Sequence, residues 1–212
     1  MTAKENKLEL RAIPELYNKN FFIPDYQRGY RWGTRQVEQL IEDLTGFFEK
    51  GRGEFYCLQP VVVKALSDKE AESYGLDSED DGNRWYEVID GQQRLTTIRI
   101  ILALFGRIKR RFKSGFTIHY KTRPELGKIF DSFIYDDEED QYSVSVDSNL
   151  YKDIDSWHIV QAANCLLDCL ISHPSSASRA SNSLPGLYAR NQYLYTGWNL
   201  LRQNIDLLHH HK

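Results

Sequence analysis

One junction constrains the fold of this chain more than any other feature: the stretch YEVIDGQQRLTTIRIILAL, residues 86–104. An apolar run ends at Asp90 and Gly91, and a long pattern of apolar residues three and four positions apart follows at once. The pattern predicts a strand that ends at Asp90, a break at Gly91, and a helix over 92–112 that ends near Gly115. Such a junction is typical of a fold that combines a sheet with packed helices.

The remaining patterns extend this into an α+β prediction with a small mixed sheet and packed helices. In the first half we expect a helix or turn over 8–17, an extended segment at FFIPDYQRGYRW, a helix capped by Thr34, a strand at FYCLQPVVVKAL, an exposed hairpin or loop over 67–83, and a strand at RWYEVID that pairs with the preceding strand. In the second half we expect a strand at FTIHY, a helix over 125–133, a polar loop, a helix over 157–171 capped by Asp155 or Ser156, and a helix over 188–207. The predicted domains are a compact α+β unit over 1–115 and a mostly helical extension over 116–212.

Charge is segregated along the chain, although the net charge is only −3. Residues 92–113 contain seven basic residues and no acidic ones, whereas 67–82 and 136–140 are strongly acidic. The net charge argues against a generic binder of polyanions, but a local positive face remains consistent with it. Two interpretations stay open: a basic helix that contacts DNA through residues such as Arg99 and Arg110, or a solvated helix face.

The junction after Asp90 carries more chemistry than a turn needs. A helix begins there, so its unpaired backbone N–H groups and positive dipole end favour an anion such as phosphate. Arg94 can form a two-point fork with phosphate oxygens, and Asp90 can hold a divalent cation or orient a water. The candidate ligand residues are Asp90, Gly91, Gln92, Gln93, Arg94, Thr96 and Thr97. A capped turn, with Asp90 as the N-cap and Arg94 paired elsewhere, is the alternative that these residues leave open.

A second motif, IPDYQRGYRW over 23–32, interleaves aromatic rings with guanidinium groups. Such an arrangement suits base stacking and phosphate pairing. The alternative is that the rings anchor the core and the arginines lie over them, and we expect some of both. The residues concerned are Tyr26, Gln27, Arg28, Tyr30, Arg31 and Trp32.

The two motifs together resemble the paired signature of the N-terminal domain of GmrSD-type, modification-dependent (type IV) restriction systems. They also resemble the N-terminal domains of the SspE and BrxU proteins. The resemblance covers residues from about Leu8 to Phe112. It implies a ParB/sulfiredoxin-like fold that binds a nucleotide, and often hydrolyses it, at the Asp-Gly-Gln-Gln-Arg motif.

Carried over to this chain, the resemblance implies an NTP with Mg²⁺ as cofactor and assigns roles to individual residues. The expected catalytic residues are Asp90, Gln93 and Arg94, with Asp90 also as the metal ligand. The expected nucleotide-binding residues are Tyr26, Gln27, Arg28, Gly91, Gln92, Thr96 and Thr97. If the domain senses modified DNA, the expected contacts are Tyr30, Arg31, Arg99 and Arg110.

The chain departs from the family pattern in its second half. Full-length members carry a nuclease domain of the His-Asn-His type, but His119, His158 and His173 are scattered and none stands in a His-Ile-x-Pro context. We therefore expect the nuclease to be a separate subunit, to belong to a longer chain, or to be lost. Cys57, Cys165 and Cys169 have no framework or metal-site spacing and are expected to be buried free thiols.

No signal peptide or membrane-length apolar run is evident, so we expect a cytoplasmic protein without a membrane partner, and a homodimer remains open. The leading hypothesis is an NTP-hydrolysing sensor domain of an anti-phage restriction system. The alternatives are a non-catalytic module that binds modified DNA and a partner-docking scaffold.

Overall fold

The computed structural model describes residues 8–49, 56–76, 84–109, 115–136 and 143–172. Its elements, in chain order, are a 3-10 helix at Ile13–Leu16, β1 Asn20–Ile23, α1 Thr34–Glu49, β2 Val62–Ala65, α2 Asp68–Ser73, β3 Trp85–Asp90, α3 Gln92–Lys109, β4 Thr117–Tyr120, a 3-10 helix at Pro124–Asp131, β5 Ile134–Asp136, β6 Ser143–Ser145 and α4 Ile154–Ser172. The α+β prediction is therefore confirmed, while the narrower ParB/sulfiredoxin-like class stays a prediction.

Four strands form one mixed sheet in the order β2-β3-β1-β4. β1 lies in the middle and runs parallel to both neighbours, with Phe22 opposite Glu87 on one side and His119 on the other. β2 pairs antiparallel with β3, as the sequence predicted. The parallel arrangement brings the carboxyl ends of β1, β3 and β4 to one edge of the sheet, which we call the carboxyl edge.

Alternate side chains of β1 enter two separate hydrophobic cores. Phe21 and Ile23 point into the main core, which α1, α3 and α4 complete, because successive strand residues face opposite sides of a sheet. Phe22 points the other way, into a small cluster covered by α2. The sheet therefore has one thickly covered face and one thinly covered face.

Two predicted elements differ from the structure. The segment expected to be a loop over 67–83 contains α2, whose capping box pairs Ser67 with Glu70: Ser67 Oγ accepts from the Glu70 N–H, and the Ser67 N–H donates to Glu70 Oε2 at 2.8 Å. The helix expected from residue 157 begins at Ile154, and the carboxylate that caps it belongs to Asp153, which accepts from the Ser156 N–H at 2.7 Å. The β5–β6 hairpin was not predicted.

One core also crosses the domain boundary predicted at residue 115. β4 pairs with β1, and α4 packs against α1 and α3, so both belong to the same body as the first half. The helix predicted over 188–207 lies outside the described residues. Among the helices that the structure describes, each is too short or too polar to traverse a lipid bilayer.

Candidate functional site

The two sequence motifs meet at the carboxyl edge. The first motif, Ile23–Trp32, follows β1, and the second motif, Asp90–Arg94, joins β3 to α3. Because β1 and β3 are parallel neighbours, their carboxyl ends lie side by side. Open parallel sheets bind ligands at this edge, where the loops leave the strands.

The two glutamines of the second motif hold the loop of the first. Gln92 Nε2 donates to the Arg28 carbonyl at 2.7 Å, and Gln93 Nε2 donates to the Gly29 carbonyl at 2.9 Å. Gln93 Oε1 accepts from the N–H groups of Arg31 at 2.8 Å and Trp32 at 3.2 Å. These amides satisfy the backbone of a loop that has no sheet or helix partner, and they fix its position relative to α3. The predicted ligand role of Gln92 and catalytic role of Gln93 give way here to a positioning role.

The start of the same loop is tied to the end of β3. Gln27 Nε2 donates to the Ile89 carbonyl at 2.7 Å, and the Tyr26 hydroxyl donates to Glu87 Oε1 at 3.0 Å. Partial desolvation, followed by the nearby Glu87 carboxylate, raises the pKa of Tyr26. The Tyr26 side chain is nevertheless 63% exposed. Its ring is therefore available at the surface, whereas the Gln27 amide is engaged in the fold.

The two threonines of α3 lie in the core and contact tyrosines there. Thr96 Oγ1 and the Tyr120 hydroxyl are 2.7 Å apart, and Thr97 Oγ1 and the Tyr30 hydroxyl are 2.9 Å apart. All four side chains are buried, and burial raises the pKa of both phenols. This burial speaks against the nucleotide contacts predicted for both threonines and the DNA contact predicted for Tyr30.

Gly91 and Arg94 pack against the segment that enters β2. Gly91 has φ +87°, and a Cβ there would lie 3.0 Å from Val61 Cα and 3.2 Å from the Pro60 carbonyl oxygen. Arg94 Nη1 donates to the same Pro60 oxygen at 2.9 Å. The sequence predicts Gly91 as a nucleotide-binding residue. The observed reason for glycine is the close approach of residues 60 and 61 together with its left-handed conformation.

Two charged side chains of the motifs remain exposed at the carboxyl edge. Within the described part of the chain, neither the Arg28 guanidinium nor the Asp90 carboxylate has a hydrogen-bond or ion-pair partner. Mg²⁺ in nucleotide sites is held by one or two carboxylates together with phosphate oxygens, and exposed Asp90 beside the start of α3 fits that donor set. Over the described ranges, no group of three His, Cys, Asp or Glu residues is placed to hold a metal by itself.

Asp155, which the sequence offered only as a helix cap, and Arg123, which it did not single out, complete the edge. The buried Asp155 carboxylate, at the start of α4, forms ion pairs with Arg31 of the first motif and with Arg123, which follows β4. Partial burial, and then the neighbouring Arg123, lower the pKa of Arg31. A Cβ on Gly29 would overlap the Asp155 carboxylate, so the loop needs glycine there. The sequence analysis contained no signal for this contact, because it depends on β1 and β4 being parallel neighbours.

The predicted DNA contacts are not brought together on one surface. Arg99 is 3% exposed, donates to Asp131 at 2.8 Å and lies over the Phe130 ring. Arg31 is half-buried in its ion pair with Asp155. Arg110 lies outside the described residues. Arg99 therefore faces the core, while the side chains of the basic residues from Arg107 to Lys113 lie outside the described part of the chain, so the basic and the solvated face stay predictions for them.

An open cavity of about 400 Å³ lies beside the second motif, between α1 and residues 56–59. Trp32, Leu40, Tyr56 and Leu58 form its apolar lining. Its polar lining comes from Arg35, Gln36, Gln39, Asp43, Gln59 and Arg94. Small-molecule sites combine an apolar wall with a few polar groups in this way, at volumes of roughly 300–1,000 Å³.

The three cysteines, all within the described residues, form no metal-binding site. Cys165 is buried, which raises the pKa of its thiol to about 12, and Cys169 is partly buried. Cys57 is exposed, so the prediction that the thiols are buried is wrong for this residue.

Comparison with protein families gives a match over most of the chain. Residues 13–198 match the model of the family described as "GmrSD restriction endonuclease, N-terminal domain". No curated protein matches the chain.

Proposed function

The chain belongs to the family of GmrSD restriction endonuclease N-terminal domains, and from this premise we propose that it is a nucleotide-binding, NTP-hydrolysing sensor domain. It serves a restriction system that acts on modified DNA. In this proposal the His-Asn-His nuclease of that system is a separate subunit or domain.

The observation that carries the proposal is that the two glutamines of the second motif contact the protein backbone, whereas charged side chains of the two motifs stay exposed. Gln92 and Gln93 bind the backbone of the first-motif loop, and this leaves Arg28 and Asp90 exposed at the carboxyl edge. Arg94 lines the adjacent cavity. Two guanidinium groups and one carboxylate of the motifs thus lie at the carboxyl edge, and these are side chains of the kind that bind phosphates and Mg²⁺.

Each charged side chain has a defined role in this proposal. Arg94 forms a two-point contact with phosphate oxygens at the start of α3, where the helix dipole also favours an anion. Arg28 binds a second phosphate. Asp90 holds Mg²⁺ or orients a water, and the cation, when bound with the nucleotide, neutralises charge on the phosphates. Gln93 acts by fixing the loop that carries Arg28.

The alternative of a DNA-binding module without catalysis loses two of its four predicted contacts, since the side chains of Tyr30 and Arg99 are buried. Modified DNA enters the proposal as the signal that the domain senses, alongside the nucleotide.

Release of inorganic phosphate tests the proposal. Wild-type protein is incubated with each of the four NTPs and Mg²⁺, with and without DNA that carries modified bases. We expect turnover of at least one NTP and a loss of about tenfold or more in Arg94→Ala, because the phosphate fork is removed. Arg94→Lys keeps the charge without the fork and should lie between the two.

Arg84→Ala is the matched control, because Arg84 is an exposed arginine that precedes the opposite end of β3. Its turnover should equal that of the wild type. Thermal melting shows whether each variant is folded. Unchanged turnover in folded Arg94→Ala, or no phosphate release from any NTP, overturns the proposal.

A further inference from the structure

The cavity beside Arg94 contains residues that neither sequence motif explains. Arg35, Gln39 and Asp43 lie on the exposed face of α1, and Tyr56 and Gln59 lie on the segment that enters β2. Arg94 links this cavity to the second motif. A ligand with phosphates on Arg94 can therefore extend its remaining part into the cavity.

Gln59 has an unusual backbone that the second motif maintains. Its φ is +72°, a left-handed conformation that side chains other than glycine rarely adopt and that costs free energy. The next two residues are held by the second motif, through the Arg94 contact to the Pro60 carbonyl and the close approach of Gly91 to Val61. Strained residues persist where the surrounding structure holds them, and they cluster at binding sites. The strain here places a glutamine amide at the cavity.

The polar groups of the cavity are partly preorganised and partly free. Gln39 Nε2 donates to Asp43 Oδ1 at 2.9 Å, which orients the carboxylate and leaves the Gln39 carbonyl oxygen available. Within the described residues, the Gln59 amide and the Arg35 guanidinium have no hydrogen-bond partner. An amide supplies both donors and acceptors, as the edge of a nucleobase does.

The apolar wall suits a flat ring. Trp32 and Tyr56 contribute an indole and a phenol to the lining, and Leu40 and Leu58 contribute aliphatic surface. Aromatic side chains stack on every base, and neighbouring hydrogen-bonding groups then select among bases. The cavity thus offers stacking surface, edge-reading groups and a cation for the attached phosphates.

We infer that this cavity is the base pocket of the nucleotide, with Gln59 as the residue that discriminates between bases and Tyr56 as a stacking partner. The inference rests on the proposed function for its phosphate site, but most of the pocket's lining, including Tyr56 and Gln59, comes from residues outside both motifs.

Isothermal titration with two sets of probes tests the pocket. The first set is ATP, GTP, CTP, UTP and inorganic tripolyphosphate, each with Mg²⁺; the second set is the four nucleosides. We expect wild-type protein to bind one NTP about tenfold or more tightly than the other NTPs and than tripolyphosphate. In Gln59→Gly the four NTPs should bind with nearly equal affinity, while the affinity for tripolyphosphate stays unchanged. Glycine removes the amide and also relieves the left-handed backbone, so this variant should fold at least as well as wild type.

Asn18→Gly is the matched control. Asn18 is the other non-glycine residue with positive φ in the described part of the chain, at 61°. It precedes β1 and therefore lies at the end of the strand that is opposite to the carboxyl edge. This change should leave base preference intact. Tyr56→Leu should weaken all NTPs and nucleosides without weakening tripolyphosphate.

The outcomes separate the two proposals. Equal binding of all NTPs and tripolyphosphate would overturn the base pocket and leave the phosphate site standing. Binding of a nucleoside that Gln59→Gly abolishes, without binding of any NTP or tripolyphosphate, would support the pocket and overturn the proposed function. Binding of no probe would overturn both.

Discussion

Helices α1 and α3 differ in burial, and the difference is not the one that their charged residues suggest. α3 carries the basic residues, yet every residue from Leu95 to Phe105 is buried. α1 carries no motif, yet its exposed residues line the cavity beside Arg94. Arg99, the basic residue within this buried stretch, pairs with Asp131 rather than facing open solvent.

The buried polar groups of α3 are paired one by one. Thr96 meets Tyr120, Thr97 meets Tyr30, and Arg99 meets Asp131. The sequence contained a signal for this, since residues 98–105 are almost continuously apolar, and a helix that is apolar on all sides is buried. We expect changes within Leu95–Phe105 to alter stability, whereas changes on the exposed face of α1 alter ligand binding.

The largest effect on stability is expected at Arg99. Arg99→Ala should lower the free energy of unfolding by about 3 kcal/mol, because it removes a long side chain from a packed core and its contact with Phe130. Arg99→Met fills the same volume without a buried charge and should stay within about 1 kcal/mol of wild type. Urea denaturation measures both. Loss of nucleotide or DNA affinity in an Arg99 variant of unchanged stability would contradict this contrast between the helices, because Arg99 would then contribute to a binding surface.

A smaller effect is expected at Thr97. Thr97→Val leaves the buried Tyr30 hydroxyl without its partner and should cost about 1–2 kcal/mol. Tyr30→Phe removes the other half of the pair. A double-mutant cycle on unfolding free energies should show coupling between the two positions. Fully additive effects would mean that the contact contributes nothing to stability.

The smallest effect is expected on α1. Gln39→Ala removes an exposed contact with Asp43 and should change the free energy of unfolding by no more than about 0.5 kcal/mol. Its affinity for the preferred NTP should nevertheless fall, as titration calorimetry would show. A stability loss as large as that of Thr97→Val, with unchanged affinity, would contradict the contrast between the helices.

Local patterns predicted the junction of β3 and α3 because an apolar run, a glycine and a helical period coincide within residues 86–104. They also predicted that β2 pairs with β3. They could not show that Gln92 and Gln93 bind the first-motif loop, since those contacts depend on β1 and β3 being parallel neighbours. Nor could they show that Asp153 caps α4 whereas Asp155 forms ion pairs. Both are aspartates at the start of the helix, and local sequence does not distinguish them.

The order of strands in the sheet has a consequence for the first half of the chain. β1 is an interior strand only because β4, from beyond residue 115, covers its outer side. A fragment that ended at residue 115 would leave the backbone N–H and C=O groups of Asn20–Ile23 open along that side, within an apolar strand. Exposed apolar edge strands recruit strands from other molecules and aggregate. The strand that follows the two motifs thus protects the motif-bearing half from self-association.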